Sequence, residues 1–134
     1  MHDIIIIGGG CAGLTAAVYS ARAGKKVLVI ESETIGGQIT AAPCIENYPA
    51  ISRISGMDFA DRLYEQAVSF GAEFEFDTVK GLENTGNIKR VIAEDSVYEA
   101  SAVIIAAGSK CRPLGIDKEK WLTGHGVSYC AMCD

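Results

Sequence analysis

The chain has 134 residues, which fits one domain and leaves little room for a second. Its net charge is −5, with acidic and basic residues interspersed, which argues against nucleic acid and anionic membranes as partners. The N-terminus MHDIIIIGGG has no basic region and only a short apolar run, so it predicts neither a signal peptide nor a membrane span. A cytoplasmic location is therefore expected, where cysteines are usually thiols, catalytic groups or metal ligands.

The first part of the chain predicts a strand, a glycine turn, a helix and a second strand. Ile4–Ile7 is a β-branched run followed by three glycines, which is typical of a buried parallel strand. Gly13–Ala23 has helical periodicity, and Gly24 is placed to end this helix in a left-handed conformation. Val27–Ile30 predicts the second buried strand, with Glu31 at its carboxyl end.

A helix and several strands are predicted further along the chain. Segment 36–47 is irregular, and Ser55 or Gly56 is expected to cap a helix that runs to about Phe70. Four strands are then predicted, of which the first three look like consecutive hairpin strands: Glu73–Leu82, Asn87–Ala93, Ser96–Ala100 and Ala102–Ala106. The segment from Lys110 onward is turn-rich and has the composition of a linker.

Three glycines between the first strand and the first helix fit the pattern G-x-G-x-x-G. Gly8 permits a tight turn, Gly10 lets a pyrophosphate approach the backbone, and Gly13 lets the helix pack close to the strand. Glu31, at the end of the next strand, can accept hydrogen bonds from ribose hydroxyls and would repel a 2′-phosphate. The pattern indicates a site for FAD or NAD rather than NADP. The alternative is a glycine-rich turn that only packs a helix on a strand.

Further motifs follow in order: Gly36-Gly37-Gln38, Glu46-Asn47-Tyr48-Pro49, Ile105-Ala106-Ala107-Gly108 and Cys130-Ala131-Met132-Cys133-Asp134. Together with the glycine loop, they resemble the low-molecular-weight thioredoxin reductases over the whole chain. The resemblance implies an α/β, doubly wound, Rossmann-like FAD-binding domain with a three-stranded antiparallel β-meander, incomplete in this chain. It implies that residues 1–109 are the N-terminal part of the FAD-binding domain. Residues 110–134 would be a linker and the start of the pyridine-nucleotide domain.

The resemblance also implies which residues contact FAD. They are Gly8, Gly10, Cys11, Ala12, Gly13, Glu31, Gly37, Gln38, Asn47, Val79, Ala107 and Gly108. Glu31 would bind the adenosine ribose, Gln38 and Asn47 would lie beside the flavin, and the backbone near Val79 would meet the adenine. Cys11 stands where the family usually has proline or another small residue. It is either a small packed residue or a thiol made reactive by the helix start.

Cys130 and Cys133 are spaced so that their sulfurs can form a disulfide, and Asp134 beside them can move protons during thiol exchange. Three interpretations compete. A thioredoxin-fold dithiol typically has tryptophan before it and Gly-Pro inside it, both absent here. A zinc knuckle would need Cys111 and His125 as further ligands at irregular spacing. A flavin-linked redox disulfide fits both the spacing and the neighbouring motifs, so no metal is expected.

By resemblance, Cys133 faces the flavin, Cys130 attacks the disulfide of the protein substrate, and Asp134 is the general acid and base. The implied activity is that of an FAD-dependent thioredoxin-disulfide reductase in a homodimer. Electrons would pass from NADPH through FAD to the Cys130–Cys133 disulfide and then to thioredoxin. The family builds its NADPH site from residues after the dithiol, so the chain is expected to be a fragment. Alone, it is expected to be inert or only FAD-binding. The parent enzyme is alternatively a related flavin disulfide reductase with another electron donor.

Overall fold

The computed structural model describes residues 1–130. Its elements in chain order are β1 (His2–Ile7), α1 (Cys11–Arg22), β2 (Val27–Glu31), a 3₁₀ helix (Gly37–Ala41), α2 (Gly56–Ser69), β3 (Glu73–Phe76), β4 (Val79–Thr85), β5 (Ile88–Ala93), β6 (Val97–Ile105) and α3 (Glu119–Leu122). None of the helices in this range has the length and apolar character needed to span a bilayer.

The strands form one six-stranded sheet in the order β3-β2-β1-β6-β5-β4. β3, β2, β1 and β6 are parallel, whereas β6, β5 and β4 form an antiparallel meander. The structure therefore confirms the predicted α/β fold with a three-stranded meander. It also confirms the strand–turn–helix–strand unit at the N-terminus, because β1, α1 and β2 follow one another within the first 31 residues.

The prediction of a single strand over Glu73–Leu82 is wrong. The chain forms two strands there, and they lie at opposite ends of the sheet order: β3 pairs with β2, and β4 pairs with β5. Only Asp77 and Thr78 separate them. Because so short a connection cannot cross an open six-stranded sheet, the meander folds back over one face of the parallel strands.

Asp77 holds this change of direction in place. Its backbone N–H donates to the Glu31 carbonyl at the end of β2, at 3.0 Å. Its carboxylate accepts from the backbone N–H groups of Thr78, Glu94 and Asp95, at 2.7, 3.1 and 3.3 Å. The side chain is buried, with 7% of its surface exposed. A buried carboxylate with several N–H donors fixes the connection between the parallel strands and the meander.

The two short strands predicted over Ser96–Ala100 and Ala102–Ala106 are one continuous strand, β6. Its first half pairs with β5 and its second half pairs with β1, with Ala100 in register with both neighbours. Among the described residues, its part from Ala102 to Ile105 pairs with β1 alone, and Ile105 is 69% exposed. β6 therefore belongs to both the meander and the parallel strands.

The parallel strands bury both faces, as expected for continuous apolar runs. One face packs against α1 and α2 in a cluster that comprises Ile6, Ala17, Val18, Ala21, Val27, Val29, Ala67 and Ala72. The other face packs against the meander in a cluster that comprises Ile5, Leu28, Ile30, Val91 and Ala100. Alternate residues of β1 thus face different layers, because successive side chains of a strand point to opposite faces of the sheet.

The helix ends follow the sequence signals. Ser55 caps α2, since its hydroxyl oxygen accepts from the Asp58 N–H at 3.0 Å. Gly24 and Gly71, just after the first two helices, have φ of 74° and 92°, in the left-handed region that glycine adopts at low cost. The cap predicted at Ser55 and the helix stop predicted at Gly24 are confirmed.

We expect Asp77→Ala to lower the unfolding midpoint at neutral pH. Burial acts to raise the pKa of the Asp77 carboxyl, but its backbone hydrogen bonds and the Tyr98 hydroxyl outweigh burial, so the pKa lies below the ordinary 3.8. A lowered pKa contributes stability above the unfolded value, and this stability is lost as pH falls through the folded value. The difference between wild type and variant should therefore shrink below about pH 4.

Chaotrope unfolding at pH 7 and pH 3 measures this difference. Asp95→Asn is the matched control, because Asp95 is exposed and only its backbone N–H contacts Asp77. An Asp77→Ala protein with the wild-type midpoint at pH 7 would contradict the assigned role of Asp77.

Candidate dinucleotide site

A cleft of about 610 Å³ opens at the carboxyl ends of β1, β2 and β6. Its lining comes from the start of α1, the loop after β2 and the segment after β6. The lining residues are Gly8, Gly10, Cys11, Ala12, Glu31, Ser32, Glu33, Thr34, Gly36, Gly37, Gln38, Ile39, Thr40, Ala106, Ala107, Gly108, Ser109 and Lys110. A cleft at this edge of a parallel sheet is the usual place for a ligand in a doubly wound fold.

The start of α1 presents unpaired backbone donors to the cleft. Its N-cap residue is Gly10, which has no side chain to cap the helix, and the first turn contains no acidic residue. The first helical N–H with a partner is that of Leu14, which donates to the Gly10 carbonyl at 2.8 Å. The preceding N–H groups and the helix dipole together form a site for an anion such as a pyrophosphate.

The three glycines of the loop have different roles. A Cβ on Gly8 would lie 2.4 Å from the Ala106 carbonyl oxygen, and Gly8 has a φ of 103°. A Cβ on Gly13 would lie 1.8 Å from the Gly8 carbonyl oxygen, so Gly13 is needed to seat α1. By contrast, a Cβ on Gly10 would meet nothing closer than 3.8 Å. The packing of the protein itself therefore does not require glycine at this position, which leaves open space beside the cleft that Gly10 lines.

The Glu31 carboxylate organises the loop beside this helix start. One oxygen accepts from the Gly9 N–H at 2.6 Å, and the other accepts from the Ser32 and Glu33 N–H groups, each at 2.8 Å. A carboxylate offers about four acceptor positions. Glu31 can therefore shape the loop and still accept a hydroxyl from a ligand in the cleft.

A second glycine pair, Gly36 and Gly37, lies directly beside the helix start. The Gly36 N–H donates to the Gly9 carbonyl at 2.7 Å, so the loop after β2 is joined directly to the loop after β1. A Cβ on Gly36 would lie 2.5 Å from the Ala60 Cβ, and its φ is 101°. The Thr40 hydroxyl donates to the Gly37 carbonyl at 2.8 Å. Close packing of small residues thus fixes the wall that bears Gln38.

An ion pair that sequence inspection missed lies at the opening of the cleft. The Lys110 ammonium is 2.7 Å from the Glu33 carboxylate. The hydrogen bond and the charge of Lys110 lower the pKa of Glu33, and Glu33 raises the pKa of Lys110. Nearby, the Gln38 side-chain amide donates to the Ser109 carbonyl. No local pattern could pair Glu33 with Lys110, because 77 positions separate them.

Cys11 lies in the first turn of α1 and lines the cleft. Burial raises the pKa of its thiol, and a backbone hydrogen bond only partly offsets that effect. It also packs against the small cluster of Ile45, Ile54 and Phe59. A raised pKa and apolar neighbours favour the packed-residue interpretation over a reactive thiolate.

Nine of the twelve predicted cofactor contacts line this cleft, and three do not. Gly13 lies beneath it, where α1 contacts the Gly8 carbonyl. Asn47 is exposed in the loop before α2, and Val79 begins β4 and packs against the meander core. The cofactor roles predicted for all twelve residues stay predictions.

The predicted dithiol lies at the limit of what the structure describes. Cys130 is disulfide-bonded, whereas Cys11, Cys44 and Cys111 are free thiols. Cys133 and Asp134 lie outside the described residues, so their predicted roles stay predictions. Within residues 1–130, no three His, Cys, Asp or Glu side chains are grouped to hold a metal ion.

The parallel sheet, the uncapped helix start and the acidic residue at the end of β2 are features typical of doubly wound domains of the dinucleotide-binding type. The family model described as pyridine nucleotide-disulphide oxidoreductase matches residues 2–134. The chain belongs to that family of oxidoreductases.

Similar proteins are thioredoxin reductases. The chain is 44% identical to the thioredoxin reductase of Bacillus subtilis over 100% of its own length and 42% of the relative. The solved thioredoxin reductase of Streptococcus pyogenes matches with a TM-score of 0.88 and 47% identity, over 100% of this chain and 44% of that one. That of Lactococcus lactis matches with a TM-score of 0.87 and 40% identity, with the same coverage. The chain thus spans less than half the length of these relatives.

Alanine substitutions at Gly13 and Gly10 test the two glycine roles. Gly13→Ala should destabilise the fold by about 3 kcal/mol or more, because its Cβ would overlap a backbone oxygen that cannot move freely. Gly10→Ala should change stability by about 1 kcal/mol or less, since its φ of −75° suits alanine but alanine is a poorer N-cap than glycine. Chaotrope unfolding without ligand measures both. An equal loss of unfolding free energy in the two variants would contradict the different roles assigned to Gly13 and Gly10.

Proposed function

We propose that this chain supplies the flavin-binding and dithiol part of an FAD-dependent thioredoxin-disulfide reductase. In the whole enzyme, electrons pass from NADPH through FAD to the Cys130–Cys133 disulfide and then to thioredoxin. The observation that carries the proposal is the uncapped start of α1, which faces an open cleft with the Glu31 carboxylate beside it. The thioredoxin reductases that match the full length of this chain support the choice of substrate.

The residues present fit a dinucleotide. The N–H groups of Cys11 and Ala12 would hold the pyrophosphate, and the room left by Gly10 would let it reach them. Glu31 would accept a ribose hydroxyl through its remaining acceptor position. Ala107 and Gly108 form the facing wall, where small residues permit close approach. When bound, the flavin supplies two-electron transfer between a hydride donor and a disulfide.

The dithiol would carry out exchange with the protein substrate. In the reduced enzyme, the Cys130 thiolate attacks one sulfur of the thioredoxin disulfide, forms a mixed disulfide and releases the other sulfur as a thiolate. Cys133 then attacks Cys130, which restores the enzyme disulfide and frees reduced thioredoxin. Asp134 would give a proton to the departing thiolate. Two electrons leave the dithiol and two enter thioredoxin, so the exchange balances.

We further propose that NADPH is the electron donor, that the enzyme is a homodimer and that it is cytoplasmic. The 134 residues contain one G-x-G-x-x-G pattern, and the structure places it at the cleft described above. The binding of NADPH is therefore assigned to the remainder of the enzyme. The acidic net charge of −5 agrees with a partner other than nucleic acid or membrane.

A second candidate is that these 134 residues alone are inert or only bind FAD. The outer edge of β6 favours it, because residues 102–105 pair on one side only and Ile105 is 69% exposed. An unpaired apolar strand edge associates readily with other chains. Isolated residues 1–134 should therefore self-associate and fail to reduce thioredoxin.

Anaerobic titration of the full-length protein with NADPH tests the main proposal. The bound flavin should lose its visible absorbance, and thioredoxin should then be reduced. Cys130→Ser should keep flavin reduction but lower thioredoxin reduction to the background rate, because the attacking sulfur is gone. Cys111→Ser, which alters an exposed free thiol, is the matched control and should retain full activity.

Two other results would change the assignment. A flavin reduced by an iron–sulfur electron carrier but not by NADPH would identify a related reductase with another donor. A protein that binds no flavin at all would rule out the proposed cofactor.

A further inference from the structure

Two contacts join the segment after β6 to the loop after β2. The Lys110 ammonium lies 2.7 Å from the Glu33 carboxylate; these two residues are called the rim pair below. The Gln38 side-chain amide donates to the Ser109 carbonyl. Ser109 and Lys110, which are neighbours in the chain, thus contact the two ends of the loop 33–38.

The rim pair lies across the opening of the dinucleotide cleft. Both partners line the cleft, and their side chains are 85% and 67% exposed, so the pair lies at the mouth rather than the base. The start of α1, with Gly10 and Cys11, lines the same cleft from a third element. The pair therefore connects the two walls between which a bound dinucleotide would lie.

The pair is poorly suited to a structural role. An exposed Lys–Glu pair typically contributes between 0 and about 1 kcal/mol to folding. It joins two loops and not two packed elements, and the core clusters include neither partner. The function of the pair is therefore inferred from its position across the opening and not from its small contribution to folding stability.

We propose that the rim pair is a latch that retains the dinucleotide, with Glu33 and Lys110 as positioning residues that slow its release. The latch rests on the proposed function, because it requires that the cleft holds FAD. The latch predicts that the two walls separate at the mouth when the ligand leaves, so that the pair breaks before release. Loss of either partner removes the same contact and therefore has the same effect.

The equal effect of losing Glu33 or Lys110 distinguishes a latch from the long-range effect of charge on an anionic ligand. Removal of the positive charge of Lys110 would speed release of an anion, whereas removal of the negative charge of Glu33 would slow it. A latch predicts faster release for both variants. The sign of the Glu33→Gln effect therefore separates the two explanations.

The experiment measures FAD release from the flavin-loaded full-length protein, by the rise in flavin fluorescence after dilution. Glu33→Gln and Lys110→Gln should each speed release about 2- to 5-fold, the range for an exposed pair. The double variant should release FAD no faster than the single variants, since both remove one contact. The exchanged pair, Glu33→Lys with Lys110→Glu, should recover most of the slow release.

Glu83→Gln is the matched control. Glu83 forms an exposed pair with Arg90 at 2.8 Å on the meander, and neither residue lines the cleft. This variant should release FAD at the wild-type rate, and the ligand-free rim variants should unfold at the wild-type midpoint.

Slower release from Glu33→Gln, or unchanged release from both single variants, would overturn the latch while leaving the FAD site intact. A wild-type protein that retains no FAD would overturn the latch together with the proposed function. At high salt, where the charges of the exposed pair are screened, the FAD release rates of wild type and the rim variants should become more alike.

Discussion

The close approach of α1 to the end of β1 is the contact on which the site depends. Gly13 allows it, because any side chain there would overlap the Gly8 carbonyl oxygen, 1.8 Å from the position of a Cβ. With α1 seated in this way, its first N–H groups face the cleft at the carboxyl end of the sheet. The Glu31 carboxylate then binds the Gly9 N–H and fixes the turn between strand and helix. The anion site follows from backbone geometry, with no positively charged side chain at the helix start.

The meander stabilises the same arrangement from the other face. Ile5 and Ile30 are almost fully buried beneath it, at 0% and 1% exposure. Burial of a large aliphatic side chain contributes about 1.5–3 kcal/mol, so the covered face is a major part of the core. Asp77 connects the two layers next to Glu31, since its N–H donates to the Glu31 carbonyl. Packing of the meander and placement of the Glu31 carboxylate are therefore linked through the adjacent ends of β2 and β3.

Sequence reasoning predicted the parts of the fold that depend on short-range pattern. The β1–α1–β2 unit follows from a β-branched run, a spaced glycine set and an acid at the next strand end, all close in sequence. It failed where long-range contacts decide the structure. The strand break at Asp77 depends on N–H donors from Glu94 and Asp95, which no local pattern shows. β6 is one strand because two different neighbours pair with its two halves.

The sequence likewise predicted which site residues lie together only where those residues are close in the chain. The glycine loop and Glu31 lie within one supersecondary unit, so their spacing alone places them together. The walls contributed by Gln38 and Lys110 come from segments that meet only in the folded protein. Their contacts could be found only from coordinates.

The most direct test of the account is the affinity of flavin-stripped full-length protein for FAD, compared with that of Gly10→Ala. The account predicts one FAD per chain for wild type. At least about tenfold weaker binding is expected for the variant, because a Cβ at this position would enter the space proposed for the pyrophosphate. Equal affinity would contradict it, since FAD would then not lie against the start of α1.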